Sequence, residues 1–518
     1  MHTLRLPLIV NNNTKPILEK RFRILSHISN QIRKHVKKLL SRLDNDKEYQ
    51  ELLEEYRRLN KVESKDKNTI AEIKRISNLL NETREGIGLS KNKLEEYARV
   101  MQKRYKKNIA THQVQAEVKH IWKGVEIVLF GNGKDVHYKK SVDFHTMPGK
   151  SNTNGAIIHF DENPDTHKTD CYITWNKLHI PVKYDTSKPD MPDGRNYINE
   201  SLAAGKIKYC EIVRLWFKSG WKYYVNIYID GNAPKKLTPG KSVMGIDEGV
   251  STVAAVSEDA VFLEELAPKC KDYNRKIADL QRKIDRSTRQ SNPERYNEDG
   301  TCKRKSKDLP AWKFSNTCKR NRAELRELYR KKSEYAKCQH ENLLNRMVSN
   351  ASVFVNEPME FKALAKKAKE TKRQDKPSTV KKSDGTEQVV YKYKRKKRFG
   401  KSVNDRSPAL LKTRLEQKCV QYDLEYIETD KWKYRASQYN HIDDEYIKAA
   451  LSERFKLIGG VLVQRDLYSA FLQSCFGTIE KPDRNKCIQM FDNFVKMQNA
   501  LITEMKASGK SYPACFGF

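Results

Sequence analysis

Two changes of hydrophobic period predict a multidomain α+β protein. From about Lys15 to Thr111 apolar residues recur every three to five positions, as on helices. From about Gly155 to Asp230 they alternate, as on strands. From Val243 onward, short strand patterns are mixed with long basic helical ones. A chain of 518 residues has room for about three domains at roughly 150 residues each, and for more than one core without disulfides.

The opening MHTLRLPLIV alternates and reads as a strand. In ILEKRFRILSHISNQIRKHVKKLLSRL, the residues Ile17, Phe22, Leu25, Ile28 and Ile32 form an apolar helix face. KEYQELLEEYRRLNK, NTIAEIKRISNLLNE and KNKLEEYARVMQKRYK extend the helical block to residue 111. The runs AIIHF, CYITW, HIPVKYD, KIKYCEIVRLWF and WKYYVNIYID, parted by Gly, Pro and Asn turns, predict a small β-barrel. PKKLTPGKS reads as a linker. VMGIDEGVSTVAAVSEDAVFLEE then reads as three strands joined by tight turns, one running to Asp247, the others covering Ser251–Val256 and Ala260–Leu263. Two basic helices, NRKIADLQRKIDRSTRQ and CKRNRAELRELYRKKSEYAKCQHENLLNRMVSN, flank a polar insertion at 292–309. ASVFVNEP has the pattern of a buried strand. Residues 362–401 are rich in Lys and poor in apolar side chains, so they read as a linker that orders only on a partner. A helix (SPALLKTRLEQKCVQY), a strand (LEYIET) and two helices from about Gln464 and Asp483 close the chain.

Lys and Arg number 101 against 66 acidic residues, a formal net charge of +35. Solubility alone calls for far less, so the excess predicts a polyanionic partner whose condensed counterions are released on binding. A membrane is the poorer candidate: no apolar run reaches about 18 residues, and Met1–Val10 is too short and polar for a signal peptide. The ten cysteines are scattered with no C-x-x-C pair, which fits reduced thiols in a cytoplasmic protein.

Three acids carry the candidate chemistry. In G-x-D-x-G the two-residue period puts Gly245, Asp247 and Gly249 on one strand face, with the glycines expected to leave the Asp247 carboxylate open to an ion or a phosphate. By itself the motif is as well explained by a turn. Glu357 stands where the strand of ASVFVNEP emerges, and Asp466 opens the helix of VQRDLYSAFLQ. Alone, each also has an ordinary reading, as a solvated strand end and as an acid facing a helix dipole.

Together, GIDEG, VNEPMEF and QRDLYSA resemble, in order and context, the three motifs of a split RuvC-type nuclease of RNase H-like fold. The basic helical insertion after the first motif resembles that of TnpB nucleases and compact type V CRISPR effectors. The likeness is specific from Val243 to Leu472 and architectural before it. It implies a wedge-like β-barrel domain at 1–14 and 112–240 and an inserted helical recognition lobe at 15–111. It implies a RuvC-like nuclease domain at 241–518, with an insertion at 265–350 and a basic loop at 362–401. Asp247, Glu357 and Asp466 would be the catalytic and metal-binding residues, holding two Mg²⁺ ions with Mn²⁺ as a substitute. The implied partners are a guide RNA, target double-stranded DNA and its displaced strand, bound in the prokaryotic cytoplasm by a monomer, with a dimer as the alternative.

In TnpB-type proteins a four-cysteine zinc ribbon precedes the third motif. The corresponding segment here, 436–462, has no cysteine, and His441 alone cannot build a tetrahedral site. No structural zinc is expected, and the segment is expected to be a short helix. Tyr391, Tyr393 and Phe399 are either stacking platforms for unpaired bases or, more commonly for such residues, loop side chains without a fixed role. Two other readings compete with the guided nuclease: a RuvC-like nuclease acting without a guide, on branched DNA or in transposition, and a guided DNA-binding protein with an inactive nuclease.

Overall fold

The structure is a computed structural model, and it describes residues 1–61, 66–131, 133–162, 169–298, 300–303, 308–365, 377–381, 387–390, 399–448 and 453–518. They form two compact units, Met1–Pro234 and Lys235–Phe518. Among the described residues no helix is long and apolar enough to cross a membrane.

The first unit starts with strand β1 (His2–Pro7), whose inward residues Leu4 and Leu6 are buried. Helices α1 (Thr14–Asp44), α2 (Lys47–Asn60), α3 (Lys67–Gly86), α4 (Lys91–Arg104) and α5 (Thr111–Phe130) follow. Asp46, Asp66 and Ser90 start α2, α3 and α4 by accepting the backbone N–H three residues on. On α1 the residues Phe22, Leu25, Ile28 and Ile32 are fully buried, but Ile17 is 39% exposed and Leu18 takes its place in the core. One position on a helix is a turn of about 100°, enough to move a side chain off the face. The helical block also runs past residue 111, because Val114, Val118, Ile121 and Val125 keep one face of α5 buried.

Strands β2 (Thr146–Met147), β3 (Ala156–Glu162), β4 (Thr169–Trp175) and β5 (Leu178–Pro181) lead through α6 (Tyr197–Ala203) to β6 (Ile207–Phe217) and β7 (Gly220–Ile229). They make two sheets, β1-β7-β6-β2 and β3-β4-β5, and no closed barrel exists among the described residues. Between β1 and β5 the sheets meet only at the Leu8–Val182 bridge. On the other side β2 is two residues long, too short to carry a ladder across to β3. The helices and both sheets share one apolar core.

The second unit opens with an antiparallel meander of β8 (Ser242–Glu248), β9 (Thr252–Val256) and β10 (Val261–Glu265). The long basic helices α7 (Cys270–Ser291) and α8 (Asn316–Asn350) come next, then β11 (Ala351–Asn356), parallel to β8. After α9 (Phe361–Ala365) and the hairpin β12 (Ser378–Lys381) and β13 (Glu387–Val390) come α10 (Gly400–Arg406) and α11 (Pro408–Tyr422). Strand β14 (Glu425–Glu428) completes a five-stranded mixed sheet in the order β10-β9-β8-β11-β14. Two hairpins follow, β15 (Tyr439–Asn440) with β16 (Glu445–Tyr446) and β17 (Phe455–Ile458) with β18 (Val461–Gln464), and then α12 (Arg465–Ser474) and α13 (Arg484–Ala507).

Helices cover both faces of this sheet, so β9 is buried at every position. Met244, Ile246, Val253 and Ala255 pack with Leu343, Met347 and Leu411 from α8 and α11. Ala254 and Val256 pack with Leu467, Phe471 and Phe494 from α12 and α13. Gly245 belongs to the α12 face. A methyl group there would overlap the Ala470 carbonyl oxygen and the Ser474 nitrogen and lie 2.7 Å from the Gln473 carbonyl carbon. The glycine therefore admits the helix backbone onto the strand, rather than leaving the Asp247 face bare as expected from sequence. Gly249 shapes the β8–β9 turn, its N–H donating to the Thr252 carbonyl at 2.8 Å.

Segment 436–462, expected to be a short helix, holds two strand hairpins and turns, and no helix, among its described residues. The pair Gly459 and Gly460, with φ of 53° and 77°, makes the tight β17–β18 turn. His441 is fully buried, its Nδ1 2.7 Å from the Tyr468 hydroxyl. Burial, with Arg484 nearby, pushes its imidazole down to about 4.

Two outcomes follow. Gly245→Ala should destabilise the protein by about 1–3 kcal/mol, seen as a lower urea midpoint, because backbone atoms cannot move aside as a side-chain end can; an unchanged midpoint would contradict the contact. His441 is neutral in the folded state and protonates near pH 6.5 when unfolded, so its contribution is lost as pH falls from about 6.5 towards 4. His441→Gln, which cannot titrate, should remove on the order of 3 kcal/mol of that acid sensitivity in melts run from pH 7 to 4.

Candidate active site

Asp247 is the penultimate residue of β8 and pairs with Ala254 of β9. Its side chain shares the α12 face with Gly245, two residues back. The parallel register of β11 sets Val355 beside Gly245 and Asn356 beside Ile246. Glu357, the next residue, thus emerges beside Asp247, with the strands about 4.8 Å apart. Phe354 is in the opposite core, so alternation turns Glu357 towards the face of Asp247.

Asp466 arrives from the other end of the sequence, in the first turn of α12. The helix touches Gly245 at Ala470 and Ser474. Asp466 lies one turn before Ala470, about 6 Å along the helix, and Asp247 lies about 7 Å along the strand from Gly245. The two carboxylates therefore come level. The start of α12 is fixed by Gln464, whose side-chain oxygen accepts the Leu467 N–H at 2.7 Å. The Gln464 N–H in turn donates to Gln498 of α13 at 2.8 Å.

The electrostatics bind the three acids into one group. The Asp247 carboxyl is held well above the usual carboxylate range, first by burial and then by the charges of Asp466 and Glu357. Arg465 opposes this, while donating from Nε and Nη2 to Asp466 Oδ1 at 3.3 and 3.2 Å. Burial also raises the Glu357 carboxyl, against a backbone hydrogen bond from Ala436 and the charge of Lys431. Both Asp247 and Glu357 keep part of their surface accessible. Among the described residues no three Asp, Glu, His or Cys side chains already stand close enough to enclose an ion. The donor chemistry fits a hard divalent cation nonetheless: the groups charging Asp247 are carboxylates with a single guanidinium against them.

Glu248 lies on the opposite face, as the alternation of β8 requires. It is 3% exposed, and burial pushes its carboxyl up to about 7. Asn356 favours its ionised form, although neither carboxylate oxygen has a partner at good hydrogen-bond geometry.

Sequence reasoning did not find Lys431, the Ala436 N–H or Lys456. The Lys456 ammonium donates to the Ser437 carbonyl and lies near Arg465 and Asp466, and burial lowers its pKa. Among 101 Lys and Arg nothing local marks these two lysines. Of the aromatics in the basic loop, Phe399 is 38% exposed just before α10, while Tyr391 and Tyr393 lie outside the described residues.

No family model and no curated protein matches the chain. Among solved structures, the chain is similar to a Cas12f1–sgRNA–target DNA complex seen by cryo-EM, at 12% identity and a TM-score of 0.44, over 90% of this chain and 97% of that one. A CRISPR–Cas12f ternary complex matches at 13% identity and a TM-score of 0.27, over 93% and 100% of the two chains. The mini-RNA-guided endonuclease CRISPR-Cas_phi3 matches at 12% identity and a TM-score of 0.29, over 62% and 58%. At these identities the similarity assigns no residue of the site.

Proposed function

We propose that this chain is an RNA-guided, Mg²⁺-dependent DNA endonuclease with a single RuvC-type site made by Asp247, Glu357 and Asp466. One observation carries the reading: two acids drawn from elements far apart in sequence charge a third on a buried strand. Folding concentrates negative charge there that Arg465 and Lys431 offset only in part, since the Asp247 carboxyl stays raised, an arrangement that bound cations would relieve.

Asp247, Glu357 and Asp466 would hold divalent ions, which when bound would supply Lewis-acid activation for phosphodiester hydrolysis. Asp247 would contribute its carboxylate from the central strand, Glu357 from the end of β11 and Asp466 from the first turn of α12. The chain supplies placement: the parallel register fixes Glu357, the seat of α12 fixes Asp466, and Arg465 holds the Asp466 carboxylate in orientation. Lys431 and Lys456 add positive charge where a phosphate would approach. Because Asp247 tends to keep its proton when no cation is present, a proton competes with metal at this carboxylate.

The guided half of the proposal rests on the +35 charge and on the order of the motifs around a basic helical insertion. The protein would hold the RNA–DNA heteroduplex by its backbone and shape, leaving sequence to base pairing.

Asp247→Asn should reduce DNA cleavage to background while leaving RNA binding intact, and full cleavage by that variant would remove Asp247 from the site. In EDTA near neutral pH the same variant should melt higher than the wild type, since Asn needs neither the charge burial nor the proton uptake that folding imposes on Asp247. Mg²⁺ at about 100 times its Kd should stabilise the wild type by about 2.7 kcal/mol and the variant not at all. The Mg²⁺ needed for this effect should rise as pH is lowered, because the raised Asp247 carboxyl takes up a proton first. Sequencing RNA copurified with the protein tests the guide: protein free of RNA that cuts branched DNA would favour an unguided nuclease instead.

A further inference from the structure

The end of the α7–α8 insertion, outside the carboxylate site, carries an ordered cluster of aromatic and guanidinium groups. Helix α7 has seven basic residues against three acidic, and α8 nine against four. Trp312 and Phe314 lie two apart on the irregular segment that leads into α8. The rings are within 7° of parallel, with centroids 6.3 Å apart. Tyr296 meets Trp312 edge-on at 6.2 Å. The Arg295 guanidinium lies 4.6 Å from the Trp312 ring centre, Arg322 3.8 Å from Phe314, and Arg289 4.8 Å from Tyr296.

This cluster is built into the fold. Asn292 is fully buried and grips the backbone of Lys313, the residue between the two rings. It accepts the Lys313 N–H at 2.7 Å and donates to the Lys313 carbonyl at 2.8 Å. Arg295 also donates to the Pro310 carbonyl, and Arg289 to Gly300 at 2.7 Å. Trp312 nevertheless stays 39% exposed. An indole pinned by backbone hydrogen bonds but left facing solvent loses little freedom when something stacks on it.

We infer that the Trp312–Phe314 platform at the end of the α7–α8 insertion binds unpaired nucleotides of a single-stranded nucleic acid, with bases stacked on the rings and phosphates on the arginines. Aromatic faces among guanidiniums suit that ligand, because every base offers a π-face and stacking is tolerant of sequence. The inference rests on the nucleic-acid reading of the charge and is independent of the carboxylate chemistry.

The test is equilibrium binding of the full chain in EDTA to four 20-residue oligomers: oligo(dT), oligo(U), an abasic deoxyribose-phosphate strand and a DNA duplex. Trp312→Ala should weaken binding of a single strand about 5- to 100-fold and leave the abasic strand and the duplex unchanged. The salt dependence should also stay the same, since no charge is removed. Whichever of oligo(dT) and oligo(U) loses more identifies the strand as DNA or RNA. Trp312→Phe should retain most of the affinity, whereas Trp312→Leu, which keeps apolar bulk without a π-face, should behave like Trp312→Ala. Equal loss on the abasic strand, or wild-type affinity in Trp312→Leu, would overturn the platform and leave the nuclease reading standing. Wild-type protein that binds none of the four oligomers would overturn both.

Discussion

The backbone of α12 rests directly on Gly245, and much of the second unit is organised around that contact. Any side chain at this position would push the helix off the sheet, and with it Leu467 and Phe471, which close the core over β9 and β10. The contact also sets the level of Asp466 against Asp247. A glycine in a central strand usually weakens it. Here the loss of side-chain packing is offset by a helix brought to backbone contact. The core and the carboxylate group share this one support.

The site works against the stability of its surroundings. Burial and two neighbouring negative charges all disfavour ionised Asp247. The fold tolerates this because the groups around the acids are held by bonds independent of them. Gln464 and Gln498 clamp the start of α12, and β11 is secured on both sides by parallel ladders to β8 and β14. A cluster of this kind, held in place by a rigid frame, is preorganised.

What the sequence disclosed follows from the range of the physics involved. The meander β8–β10 was legible because alternation and turn residues are local. Asp247, Glu357 and Asp466 were singled out only by their order and contexts taken together, since each alone has an ordinary reading. The two glycines were located but misread: the true neighbour of Gly245 is a helix backbone more than two hundred residues away, and no local pattern encodes it. Ile17 was taken for Leu18 because both are aliphatic and adjacent. The missing barrel closure depends on the length of β2, and the hairpins at 439–464 depend on Tyr439, His441 and Tyr468 packing from different elements. Lys431 and Lys456 were lost in a background of like residues.

The distance along the chain between Gly245 and its helix has a temporal meaning. At roughly 5–20 residues per second, a ribosome needs about 10–50 s after making β8 to finish α12. For that interval β8, β9 and β10 exist without the cover of one face, and β8 without its partner β11 for nearly half of it. The carboxylate of Asp247 then faces water alone. Asp466 can bring its charge to bear on Asp247 only once α12 has been made, so β8–β10 is synthesised without that added charge.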